Sequence, residues 1–197
     1  MTDKETSTQE AILLAAIDCI NESGLENVTT RMIAEKAGAN IASINYYFRT
    51  KEILVNKALE ITINHMLEDV MATVQDTNLD FRQILQDVVY YLISGASSNL
   101  GISSAHLYRL VVEKDYESIS AQSFLSAFNN LLDRAESAFP ETEPQHLRRI
   151  LASIFSSIMF MMLTPFFFQL KGEDFPGDDA YHHEMAEYFT QMFYAMI

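Results

Sequence analysis

Residues 29–51, TTRMIAEKAGANIASINYYFRTK, decide the reading of this chain, because they spell two short helices joined by a tight turn. Thr29 or Thr30 supplies a hydroxyl that accepts an otherwise unpaired first-turn amide. The helix they open carries Met32, Ile33 and Ala37 inward, and Gly38 stops it as the residue type that most easily turns left-handed. One residue later Asn40 is a good cap for a second helix, whose Ile44 and Phe48 are four apart and bury together. The opposite face then shows Asn45, Tyr46 and Tyr47, with Ile41 and Ala42 near its amino end. An amide, two phenols and small apolar groups on one turn of helix suit base edges and phosphates, since Asn bonds adenine bidentately and a methyl meets the thymine methyl.

Around this stretch further positions agree: Ala15-Ala16, Gly24, Ile33-Ala34, Ala37-Gly38, Tyr47-Phe48 and Thr50-Lys51-Glu52. Taken together over residues 8–60, they resemble the TetR family of bacterial transcriptional regulators. The resemblance implies that the helix holding Asn45, Tyr46 and Tyr47 enters the major groove, while the positions of Thr30 and Lys51 hold phosphates. The DNA-binding set it implies is Thr29, Thr30, Asn40, Ile41, Ala42, Asn45, Tyr46, Tyr47 and Lys51. Ile41 departs from the small polar residue or lysine often found there, which removes a phosphate contact.

The chain has 197 residues, 49% of them hydrophobic, enough for a small domain and a larger one. Its net charge of −14 is that of a protein DNA repels. From Thr30 to Lys57, however, Arg31, Lys36, Arg49, Lys51 and Lys57 face only Glu35 and Glu52, a local +3. Phosphate attraction fades over about 8 to 10 Å, so one basic end binds while the acidic remainder stays solvated. The single cysteine, Cys19, lies on an apolar stripe and excludes an internal disulfide framework, which fits a cytoplasmic protein. The opening MTDKETSTQE is too polar for a secretory signal.

Ser7 with Glu10 forms a capping-box pattern for a first helix ending at Gly24. A rod from Lys51 to about Val74 follows, its first turn at the DNA backbone and its length against the second domain. Asn78 is expected to cap a helix running to Ser94, and Gly95 to Gly101 reads as a soft break. Helices follow over 104–114 and 118–139, then one opened by Thr142-Glu143-Pro144-Gln145 and ended or kinked at Pro165. Residues 150–170 lack a formal charge and reach the length of about 20 that spans a membrane. Their serines, Thr164, Pro165 and Gln169 make them a buried helix instead, with no membrane partner. Gly172, Pro176 and Gly177 mark a loop, and Asp178 starts a last helix with Met185, Tyr188, Phe189, Met192 and Met196 on one side.

The fold expected is all-α: a three-helix DNA-binding domain over 6–66 and a helical effector-binding and dimerisation domain over 67–197. The last two helices are more apolar than one small bundle needs. Ser153, Ser156, Ser157, Phe160, Met161 and the turn from Tyr188 to Met192 are expected to pair across a two-fold axis as a homodimer. Tyr90, Tyr91, His106, Tyr108, Phe124, Phe128, Phe155 and Met159, with Phe81 and Phe166, are expected to line a small-molecule pocket. After Glu60 acids outnumber bases 18 to 7, favouring a neutral or cationic effector over an anion.

The rival reading is a helical-bundle enzyme or metal-binding protein with a vestigial DNA-binding unit. Glu143 and His146 have a spacing used by di-iron bundles, but only once, and surface capping explains them. His182, His183 and Glu187 read as solvated surface rather than a metal site. No nucleophile elbow or phosphate loop is spelled out. The reading is therefore a regulator, not an enzyme, without cofactor: a repressor that a small molecule releases from a double-stranded DNA operator.

Overall fold

The computed structural model describes residues 3–164 and 178–197, with side chains from Ser7 onward. Among them are α1 (Asp3–Ser23), α2 (Thr30–Lys36), α3 (Ile41–Phe48), α4 (Lys51–Gln75), α5 (Phe81–Ser98), α6 (Leu100–Val111), α7 (Ile119–Ala138), α8 (Pro144–Leu163) and α9 (Asp179–Met196), with no strand. The all-α expectation holds. The Pro165 kink, Phe166 and the Gly172, Pro176 and Gly177 loop lie outside the described residues.

Two compact units form. The first is Met1–Asn64 with Asn99–Ser120, and the second is His65–Ser98 with Ala121–Ile197. The expected division after residue 66 treats the chain as two consecutive pieces, whereas α6 packs on α1 within the first unit. The first core gathers Ile12, Ala16, Ile20, Val28, Ile33, Ile44, Phe48, Leu54, Leu59 and Ile102. Cys19 joins it at 3% exposure, where burial pushes its thiol pKa up.

Four polar contacts add α6 to that unit. Asn21 Oδ1 accepts from Gly101 N, Tyr108 donates to Glu26, Arg109 to Asn56, and His106 meets Thr62. A side chain built at Gly101 would stand 2.3 Å from the Asn21 carbonyl oxygen, so the glycine permits the close approach of α6 to α1.

The second core is built around Ile84, Leu85, Val88, Leu131, Leu147, Ile154 and Phe193. Phe81, Phe139 and Phe193 meet mutually, edge-on or tilted, at 5.1 to 5.7 Å between centroids. Arg134 donates to the carbonyls of Asp76 and Leu79, pinning the loop before α5. The α8 helix is long and apolar enough to cross a membrane. Its Leu147, Ile150, Leu151, Ile154, Phe155, Ile158 and Met161 are buried in this core, as a packed helix requires.

Several expected boundaries move. Helix α1 begins at Asp3, ahead of the expected Ser7 cap. Asn78 does not cap α5. It is held in a turn by Asp76 Oδ1, and Asp80 forms the reciprocal box with Gln83. The soft break at 95–101 shrinks to Asn99, since Ser97 and Ser98 hydroxyls bond the Ser94 carbonyl and Ala96 is buried. Thr142 gives way to Glu143 as the residue before Pro144, without a side-chain cap bond.

On α9 the buried side is His182, Ala186, Phe189, Thr190 and Phe193, a stripe set off from the one expected. His182 is thus core rather than solvated surface, with Nε2 3.1 Å from Ser97 Oγ. Met161, expected across a two-fold axis, is buried within its own unit.

Candidate nucleic-acid interface

The reading unit is built by its caps. Thr29 Oγ1 accepts Met32 N at 3.2 Å and opens α2. Gly38, at φ 61°, turns the chain out of it, and Asn40 Oδ1 accepts Ser43 N at 2.7 Å to open α3. Each such cap is worth about 1 kcal/mol. Ile44 and Phe48 anchor α3, being 0% and 1% exposed. Removing the Phe48 ring would cost about 3 to 5 kcal/mol.

That anchoring fixes the opposite face. Tyr46 is 74% exposed and Ile41 45%, with Ala42 and Asn45 also open to solvent. Tyr47 differs from its neighbour. It is half-buried against the core, edge-on to Tyr46 at 5.0 Å, and so props the exposed ring. Thr29 and Asn40 are exposed and Thr30 half-buried. Thr50 Oγ1 accepts Ile53 N and caps α4, while Lys51 Nζ donates to the Val28 carbonyl at 2.7 Å.

A model of the bacterial regulatory proteins of the tetR family matches residues 12–58, the span that carries both caps and the whole of α3. A TetR transcription regulator from Haloarcula marismortui ATCC 43049 shares the fold over 96% of this chain and 98% of its own, with a TM-score of 0.73 and 16% identity. Residues 12–58 thus match the DNA-binding segment of the tetR family of bacterial regulatory proteins. The class C tetracycline repressor protein of Escherichia coli is 34% identical over 59 residues, which is 29% of this chain and 27% of that repressor. The HTH-type transcriptional dual regulator CecR of Shigella flexneri is 46% identical over 54 residues, 27% of this chain and 24% of that protein. The chain thus spans about a quarter of the length of each of these two relatives in its sequence match.

The residues expected around an effector fall into both units. Tyr90, Tyr91, Phe124, Phe128, Phe155 and Met159 lie in the second, and His106 and Tyr108 in the first. Phe128 and Phe155 meet edge to face at 5.5 Å, with the Arg148 guanidinium over Phe128. Tyr90 contacts Tyr91, stacks on His183 at 4.4 Å and donates to Asp179 at 2.6 Å. Tyr108 is bonded to Glu26 at 2.9 Å.

His106 is 5% exposed, with Nδ1 2.7 Å from Ser120 Oγ and Nε2 3.0 Å from Thr62 Oγ1. Burial, then the charge of Arg109, lowers its pKa to about 4. Of the rival metal-ligand candidates, Glu187 pairs with Arg82, and His146 Nε2 lies 2.8 Å from the Met196 carbonyl at the end of α9.

Arg49 stands outside the DNA-binding set that the resemblance implies. It sits at φ 62° directly after α3 and stays exposed. The only signal in the sequence was its place among the local bases.

Proposed function

We propose that this chain is a repressor which a small molecule releases from a double-stranded operator, working in the cytoplasm as a homodimer through α8 and α9. The observation that carries the DNA contact is Tyr46, 74% exposed on a helix held by the buried Ile44 and Phe48. Asn45 and Tyr46, with Ile41, Ala42 and the propping Tyr47, would read the groove. Thr29, Thr30 and Asn40 would sit at the phosphates, where helix amino ends favour anions. In this proposal residues 6–66 form the reading domain, with α6 packed onto it, and the rest of residues 67–197 the effector and dimer domain.

Two-fold symmetry supplies the second reading helix, about 34 to 36 Å from the first, as successive major grooves demand. Support for the dimer comes from Phe160, 51% exposed on α8, and Tyr188, 57% exposed on α9, beside the small Ser153 and Ser156. The aromatic and methionine side chains of the second unit suit a neutral or cationic effector, given its acidic surroundings. Release is a population shift, the effector favouring the state whose reading helices are wrongly spaced for the operator.

The test is fluorescence anisotropy with duplex DNA from immediately upstream of the protein's own coding sequence. Wild type should bind it, and Tyr46→Ala should bind at least tenfold more weakly with an unchanged melting temperature. Equal binding by the two proteins would overturn the reading.

A further inference from the structure

Two of the five bases between Thr30 and Lys57 are engaged inside the first unit. Lys36 Nζ lies 2.5 Å from Glu22 Oε1 and 3.9 Å from Asp18 Oδ2. Lys51 Nζ donates to the carbonyl of Val28, itself 0% exposed and next to the cap residue Thr29. That bond ties the start of α4 to the start of α2. It also offsets the poor placement of a cation at the positive end of a helix dipole.

Arg49 stands in a different position. Thr50 N donates to the Phe48 carbonyl at 2.7 Å across it, and its φ of 62° and ψ of −52° make a three-residue γ-turn of the positive-φ kind. Such turns are rare and strained for a residue with a Cβ, and glycine would fill one without steric cost. The neighbours enforce it. Phe48 is locked in the core, Thr50 caps α4, and Arg49 N donates to Asn45 O at 3.0 Å. Among the described residues Arg49 forms no ion pair, so its guanidinium remains unneutralised on a stiff junction one residue beyond α3.

We propose that Arg49 is a phosphate-binding cation at this edge of the interface, beside Lys51, whose bond to a neutral carbonyl leaves its charge intact. The planar guanidinium matches a phosphate bidentately, and a junction with no slack delivers it without loss of loop entropy. This inference rests on the DNA-binding reading and adds a charge that meets the backbone.

The test is the salt dependence of binding to a labelled mixed-sequence duplex, since each phosphate neutralised contributes about 0.9 to the slope of log K against log salt, whatever the base sequence. Arg49→Gln should reduce the slope by about 0.9 per bound copy, and Arg49→Lys should retain it. A wild-type slope that survives in Arg49→Gln overturns the assignment. A wild-type protein with no salt-dependent binding takes down the DNA-binding reading itself, and this inference with it.

Discussion

The side-chain oxygen of Asn21 accepts the backbone amide of Gly101 at 3.0 Å, giving α6 from α1 the amino-terminal cap that its own Asn99 does not provide. The amide of Ile102 lies 3.4 Å from the same oxygen. Helix α6 is thereby part of the reading unit although α5 separates it in sequence.

Gly101→Ala should destabilise the protein by about 1 to 3 kcal/mol, because the new methyl would meet Asn21 backbone that has no room to give. Gly95→Ala is the contrast. With nothing within 4 Å of its added carbon and a helical backbone, it should stabilise by roughly 0.5 to 1 kcal/mol. Thermal denaturation of the two variants side by side checks the pair, and melting shifts of the same sign would contradict it.

His106 makes stability depend on pH with a defined sign. Its folded pKa of about 4 lies below the ordinary 6.5, so the unfolded chain binds the extra proton and stability rises with pH between the two values. The contribution is complete above about pH 6.5 and is lost as pH falls towards 4, a change on the order of 3 kcal/mol. Chemical denaturation at pH 7 and pH 4.5 should show a markedly smaller drop for His106→Gln than for wild type.

Asn40→Ala removes the oxygen that caps α3. It should lower stability by about 1 kcal/mol and weaken DNA binding more than that figure alone implies, since the reading helix itself frays. Comparing guanidinium midpoints with anisotropy isotherms for the same preparation checks this; equal effects on both would argue that α3 stays formed without its cap.

Phe160 and Tyr188 test the proposed homodimer. Replacing exposed apolar surface by charge in Phe160→Arg should halve the mass seen by sedimentation equilibrium at micromolar concentration, with the helical circular dichroism retained. A mass equal to that of wild type would place the dimer contact elsewhere.

The parts legible in the sequence are those whose causes are local. Thr29, Gly38, Asn40, Ile44 and Phe48 each act within one helical turn, and the structure uses every one of them as read. Asp178 likewise opens α9 by accepting Tyr181 N. What escaped depends on residues distant in sequence. Lys36 and Lys51 count as surface cations until Glu22 and the Val28 carbonyl, 14 and 23 residues away, come into contact with them. His106 joins the first unit through Thr62, 44 residues earlier, and no periodicity announces that partner. His182 reads as a polar surface residue because its burial comes from α5. Where two capping signals compete, as Asn78 and Asp80 do, side-chain geometry decides.

On the proposed DNA-binding function, the surface tie between Lys36 and its two carboxylates bears on how the protein searches a chromosome. Each cation withdrawn from the interface loosens the hold on arbitrary sequence far more than the hold on a site whose base edges are also read. A protein that lingers less at the wrong places is less diluted by them, and fewer copies per cell then keep the right one occupied.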